Sequence, residues 1–133
     1  GLESVRAGYV ISQAENIQEF MKIRGPYDVN MFAATAIRAA LLDVDYSRLY
    51  IQEVMKRAKP MLEEFFQKHN VPFYPSKANF LLIKPKHPEE ALRILQDQGI
   101  LIRSRRDFPG TLRVSVGTLK DTERFMTAYS KTL

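Results

Sequence analysis

The chain has no cysteine and only two histidines in 133 residues. Without cysteine there are no disulfides and no thiolate metal sites, which fits a cytosolic protein. His69 and His87 are far apart in sequence, so a histidine-rich metal site is not expected. No apolar run is long enough to span a bilayer, and there is no signal peptide. A phosphate-binding P-loop, a dinucleotide fingerprint and a G-x-S-x-G turn are all missing. Glu63-Glu64 and Glu89-Glu90 read as solvated helix-surface charge rather than as a hydrolytic acid pair. No general base is evident.

What is present is a soluble globular composition of single-domain size, 45% hydrophobic and 26% charged. The net charge of +5 favours anionic partners only weakly, because Lys and Arg are spread along the chain. Their densest cluster is Arg103, Arg105 and Arg106, within Gly99 to Gly117. This stretch reads as two strands joined by a polar loop. In Leu112-Arg113-Val114-Ser115-Val116 the side chains alternate, with Leu112, Val114 and Val116 inward and Arg113 and Ser115 outward. Ile100 and Ile102 share one face of the partner strand, Leu101 and Arg103 the other. If the two strands are neighbours, Arg103 and Arg113 approach the same surface. A guanidinium on a rigid strand suits bidentate capture of a carboxylate or phosphate. Strand arginines can equally be solvated or paired with nearby acids.

Upstream, Val5 to Ile11 has strand character, and nothing in front leads into it, which suggests a piece of a longer protein. Arg6 lies in that stretch beside Ala7 and Gly8, small residues that leave room for a ligand. Ser12 and Glu15 have capping-box spacing for a helix through about Lys22. Arg24-Gly25-Pro26-Tyr27 breaks it, and Asp28 is placed to cap an alanine-rich helix from Val29 to Leu42. The spacing of Ile51, Val54, Met55, Ala58, Leu62 and Phe65 predicts a long helix from Asp45 to Lys68. Pro60 should kink it. A bent helix often joins two bodies, so a domain boundary is placed near Asp43.

Phe73-Tyr74 reads as a short edge strand. Asn79 to Lys84 reads as a strand covered on both faces. Pro88, Glu89, Glu90 and Gly99 bracket a helix, which makes Asn79 to Arg103 a βαβ unit with parallel strands. Thr118 and Asp121 open a last helix to about Thr132. A small basic α/β domain that binds RNA or an acidic partner is the alternative function. However, Phe73, Tyr74, Phe80 and Phe108 lack the spacing of a base-stacking platform, so nucleic acid is disfavoured.

Taken together, these segments resemble one family. Val5-Arg6-Ala7-Gly8-Tyr9 resembles the L-R-x-G-Y segment of fold-type-I pyridoxal-phosphate (PLP) aminotransferases, closest to the histidinol-phosphate aminotransferase branch. Pro26-Tyr27-Asp28-Val29-Asn30 is similar to P-Y-x-V-[NS], and Asn79-Phe80 to N-F. Gly99-Ile100-Leu101-Ile102-Arg103 and Leu112-Arg113-Val114-Ser115-Val116-Gly117-Thr118 are similar to G-I-x-V-R and L-R-[IV]-[ST]-[IV]-G-T. The resemblance runs through the whole chain in order.

It implies an α/β fold: residues 1–42 would be the end of the large cofactor-binding domain, and 43–133 the small C-terminal domain, a mixed sheet packed with helices. Arg6 would bind the phosphate of PLP, and Arg113 the α-carboxylate of an amino-acid substrate. Arg103 would contact the far phosphate of an amino-phosphate substrate. The resemblance further implies a cytoplasmic homodimer active in histidine biosynthesis, with no catalytic residue in this chain. The cofactor-bearing lysine would lie ahead of Gly1, so these 133 residues alone are expected to be inactive. The loop between Arg103 and Arg113 is short, and Thr111 stands where cysteine is frequent. Histidinol phosphate, an aromatic amino acid or threonine phosphate (for a decarboxylase relative) therefore all remain open as substrates.

Overall fold

The computed structural model describes residues 3–133 and divides them into two compact units, one ending at Ser47 and the other spanning Arg48–Leu133.

In the first unit a single 3-10 turn, Glu3–Val5, precedes two helices, α1 (Ala14–Ile23) and α2 (Met31–Leu42). Val5 to Ile11 does not form the expected strand. A strand needs a neighbour for its N–H and C=O groups. The described residues of this unit supply no strand to pair with, and Tyr9 and Ile11 are both 87% exposed. Ser12 does not cap α1: Gln13 is the N-cap and makes no side-chain cap bond, while Ser12 Oγ accepts a bond from Asn16.

Asp28 does not cap α2 either. It pairs with Arg24 at 2.7 Å, and Asn30 takes the capping role, its Oδ1 accepting the Ala33 N–H at 2.8 Å. Asn30 Nδ2 also donates to the Val5 carbonyl at 3.2 Å, tying the turn next to Arg6 to the start of α2. Within α2 only Ala33 is buried, and Phe32 and Leu41 are exposed.

A continuous helical run follows: α3 (Val44–Glu53), a π-helical turn (Val54–Ala58) and α4 (Lys59–Lys68). The boundary between the units falls inside α3. The π turn ends just before Pro60. Proline cannot donate to the preceding turn, and its ring crowds the carbonyl four residues back. The helix widens there, so that the Lys59 N–H bonds the Val54 carbonyl five residues earlier.

The second unit is a two-layer α/β body with four short strands: β1 (Phe73–Tyr74), β2 (Phe80–Ile83), β3 (Arg103–Ser104) and β4 (Leu112–Ser115). Their order is β1-β2-β4-β3, and every pairing is antiparallel. β2 and β3 thus run the same way, but they are not the paired neighbours a simple βαβ unit would make, because β4 lies between them. The third strand is also shorter than expected, starting only at Arg103.

Leu81, Ile83, Leu112 and Val114 fill one face of the sheet and are fully or almost fully buried. They pack with Leu62 and Phe66 of α4, Leu95 of α5 (Pro88–Asp97) and Tyr129 of α6 (Leu119–Tyr129). Phe66 and Tyr129 meet edge-on at 5.4 Å between centroids. β2 is therefore covered on one face only: Phe80 and Leu82, on the other, are half-buried.

Two local devices set the ends of the helices. Gly99, at φ 69°, closes α5 in a Schellman motif, with the Ile100 N–H on the Leu95 carbonyl and the Gly99 N–H on the Gln96 carbonyl, both at 2.9 Å. That turn sends the chain into β3. Thr118 and Asp121 form the expected capping box of α6.

Candidate functional site: an arginine pair on the open face of the sheet

The open face is built by strand register. Arg103 of β3 lies directly across from Arg113 of β4, and Arg113 across from Leu82 of β2. Ser115 is paired with Phe80. Residues that pair across strands share a face, so the two arginines expected to meet do meet. With Leu101, Ile102 and Ser115 they line a cavity of about 260 Å³.

Like charges directly opposite one another on a sheet repel. Among the described residues no carboxylate lines the cavity to relieve that repulsion. The guanidinium carbon of Arg113 lies 4.2 Å from the centroid of the Phe80 ring. Such a contact contributes about 0.5–2 kcal/mol, depending on desolvation. Its Nε is buried and, among the described residues, has no hydrogen-bond partner. Arg103 is exposed. The pair is thus a cationic, concave surface suited to a ligand with two anionic groups, or to two ligands in turn.

The loop joining β3 to β4 is tied down by its own backbone. Arg105 N–H meets the Thr111 carbonyl at 3.3 Å, and the buried Thr111 hydroxyl donates to the Phe108 carbonyl at 2.7 Å. Arg105 turns to Asp107 at 2.8 Å. Neither it nor Arg106 lines the cavity. Arg6 belongs to the first unit. It is exposed and adopts a left-handed backbone at φ 57°, uncommon for a residue with a side chain. A Cβ added at Gly8 would meet nothing within 4 Å, so space is open beside it.

Two contributors escape a reading by residue type. Lys59 is buried, and its Nζ donates to the carbonyls of Ser76 and Ala78, the latter at 2.9 Å, in the loop that feeds β2. Its position was the available signal: Lys59 falls on the apolar stripe running through Met55 and Leu62. Asn30 is the other, holding both the α2 cap and the turn beside Arg6.

The family model for aminotransferase class I and II matches residues 1–128. The chain belongs to that family. One relative is histidinol-phosphate aminotransferase 2 of Pasteurella multocida, 32% identical over 138 residues. The match takes in 100% of this chain and 37% of the relative, so the chain spans well under half the length of the curated relatives it matches.

Among solved structures, the histidinol-phosphate aminotransferase of Clostridium acetobutylicum aligns with TM-score 0.71 and 22% identity, over 89% of this chain and 38% of that one. The Sinorhizobium meliloti enzyme of the same name, solved with pyridoxal 5'-phosphate, aligns with TM-score 0.66 and 18% identity, over 90% of this chain and 35% of that one. At these identities the two structures establish the fold. Among the described residues no helix is long and apolar enough to cross a membrane.

Proposed function

We propose that this chain is the C-terminal part of a PLP-dependent aminotransferase that moves an amino group between histidinol phosphate and a 2-oxo acid. The observation that carries the reading is the Arg103–Arg113 pair, registered across two strands and lining one cavity. Residues 1–42 belong to the large cofactor-binding domain, and residues 43–133 form the small domain.

The first unit fits a group bearing a phosphate. Arg6 offers an exposed guanidinium, space is open over Gly8, and Asn30 fixes the neighbouring turn. When bound, the cofactor supplies an electron sink for the charge that develops at the substrate's α-carbon.

This chain's contribution is to bind and orient. Arg113 takes the α-carboxylate of the amino-acid or 2-oxo-acid partner, its plane backed by Phe80. Arg103 takes the distal anion, a phosphate or second carboxylate. Holding both anionic ends of a dicarboxylic 2-oxo acid, or the phosphate of histidinol phosphate, orients the reacting carbon, which converts binding energy into orientation. The resemblance to histidinol-phosphate aminotransferases also supports a homodimeric, cytoplasmic parent.

The test is steady-state amino transfer from histidinol phosphate to 2-oxoglutarate by the complete PLP-loaded protein. Turnover with both substrates is the expected result. Turnover with other amino donors but not histidinol phosphate would keep the class of reaction and reject this substrate. No amino transfer with any donor would reject the reading.

A further inference from the structure

Arg113 is held in an unusual way. Among the described residues the buried Arg113 Nε has no hydrogen-bond partner, and an unpaired buried N–H is costly. Its guanidinium carbon lies 4.2 Å from the centroid of the Phe80 ring. The attraction is between the cation and the negative face of the ring, and it is stronger where water is excluded. A ring beneath a planar guanidinium restricts rotation and leaves the opposite face and the N–H edge for the cavity that Arg113 lines.

Phe80 is itself fixed from three sides. It opens β2, and its pairing with Ser115 sets it on the same face as Arg113. The residue before it accepts the Val116 N–H through the Asn79 carbonyl at 2.8 Å. Beyond that, Lys59 holds the carbonyls of Ser76 and Ala78, fixing the loop that delivers Phe80 to the strand.

We propose that Phe80 is a positioning residue for substrate carboxylate binding: its ring sets the plane of the Arg113 guanidinium, and so sets the affinity for the carboxylate. This rests on the reading of Arg113 as the carboxylate site.

The experiment uses the complete PLP-loaded protein with Phe80→Leu, Phe80→Met and Phe80→Tyr, and with Arg113→Ala as reference. Succinate serves as an unreactive dicarboxylate probe, and Tm is recorded for every variant. The two ring-free variants are expected to weaken succinate binding by about 5-fold, and to raise KM for 2-oxoglutarate by a similar factor, with kcat changing less than about 2-fold. Phe80→Tyr keeps the ring and should restore both values.

Unchanged succinate affinity in Phe80→Leu and Phe80→Met, beside a clear loss in Arg113→Ala, would overturn the positioning role while leaving Arg113 as the carboxylate site. So would a Phe80→Tyr variant as weak as Phe80→Leu. Unchanged succinate affinity in Arg113→Ala would overturn both.

Discussion

Lys59 shows how much of this molecule turns on single side chains. Among the described residues it is the one buried cation, and it joins a helix to the loop entering the sheet through two carbonyls. Replacing it by methionine keeps most of the bulk but leaves both carbonyls short of a donor. Lys59→Met should therefore destabilise the second unit by about 2 kcal/mol in denaturant unfolding. An unchanged midpoint would show that the clamp is not needed. Tyr129 behaves differently. Burial among α4, α5 and the sheet pushes its phenol up to about 12, with a smaller opposing contribution from the Thr132 side chain. The folded state thus favours the neutral phenol. Stability from this group is fully present below pH 10 and falls as pH rises from 10 towards 12. A tyrosinate absorbance titration alongside alkaline unfolding checks this, and loss of structure well below pH 10 would contradict it. At this scale the sequence was most informative where a regular alternation sets a charge on the face opposite the core. Arg113 stands out between Leu112 and Val114 on a strand. Lys59 stands out less, because a helix face tolerates a long amphipathic side chain.

The start of α6 concentrates several interactions in one element. Thr118 Oγ accepts the Asp121 N–H at 3.2 Å, Asp121 accepts the Thr118 N–H at 3.2 Å, and Glu53 reaches across to accept the Leu119 N–H at 2.9 Å. Thr118→Ala should cost about 1 kcal/mol, read as a lower Tm. The side-chain and backbone hydrogen bonds from Thr118 hold the Asp121 carboxyl below its ordinary 3.8. That contribution is therefore present above pH 3.8 and is lost as pH falls further, so Thr118→Ala should flatten the acid limb of the stability profile. Gly117 guards the same box: a Cβ there would come within 2.8 Å of the Asp121 Cβ. Gly117→Ala should destabilise α6 by about 1–2 kcal/mol. A Tm equal to that of the unaltered chain would mean that the helix start shifts at no cost. Elements with such short-range punctuation were legible in advance, as the Thr118-Asp121 box and the Gly99 stop of α5 show. The caps of α1 and α2 were misplaced because Ser12 and Asp28 had closer partners in Asn16 and Arg24.

Across the whole molecule, what the sequence concealed is non-local. β4 is inserted between β2 and β3, a pairing between distant segments that no spacing within Asn79 to Arg103 reports. Val5 to Ile11 has the residues of a strand but no neighbour among the described residues of its unit. The site was more legible than the topology around it, because Arg103 and Arg113 sit on strands joined by one short loop and local pairing brings them together. The central claim is that this pair divides the work of holding a substrate, Arg113 on the α-carboxylate and Arg103 on the distal anion. The direct test is kcat/KM of the complete protein for histidinol phosphate and for 2-oxoglutarate, in Arg103→Ala and Arg113→Ala. Histidinol phosphate has a phosphate but no carboxylate, so Arg113→Ala should lower kcat/KM for 2-oxoglutarate by about 10- to 100-fold and for histidinol phosphate much less. Arg103→Ala should lower both. Equal effects of the two substitutions on both substrates would contradict the division of roles.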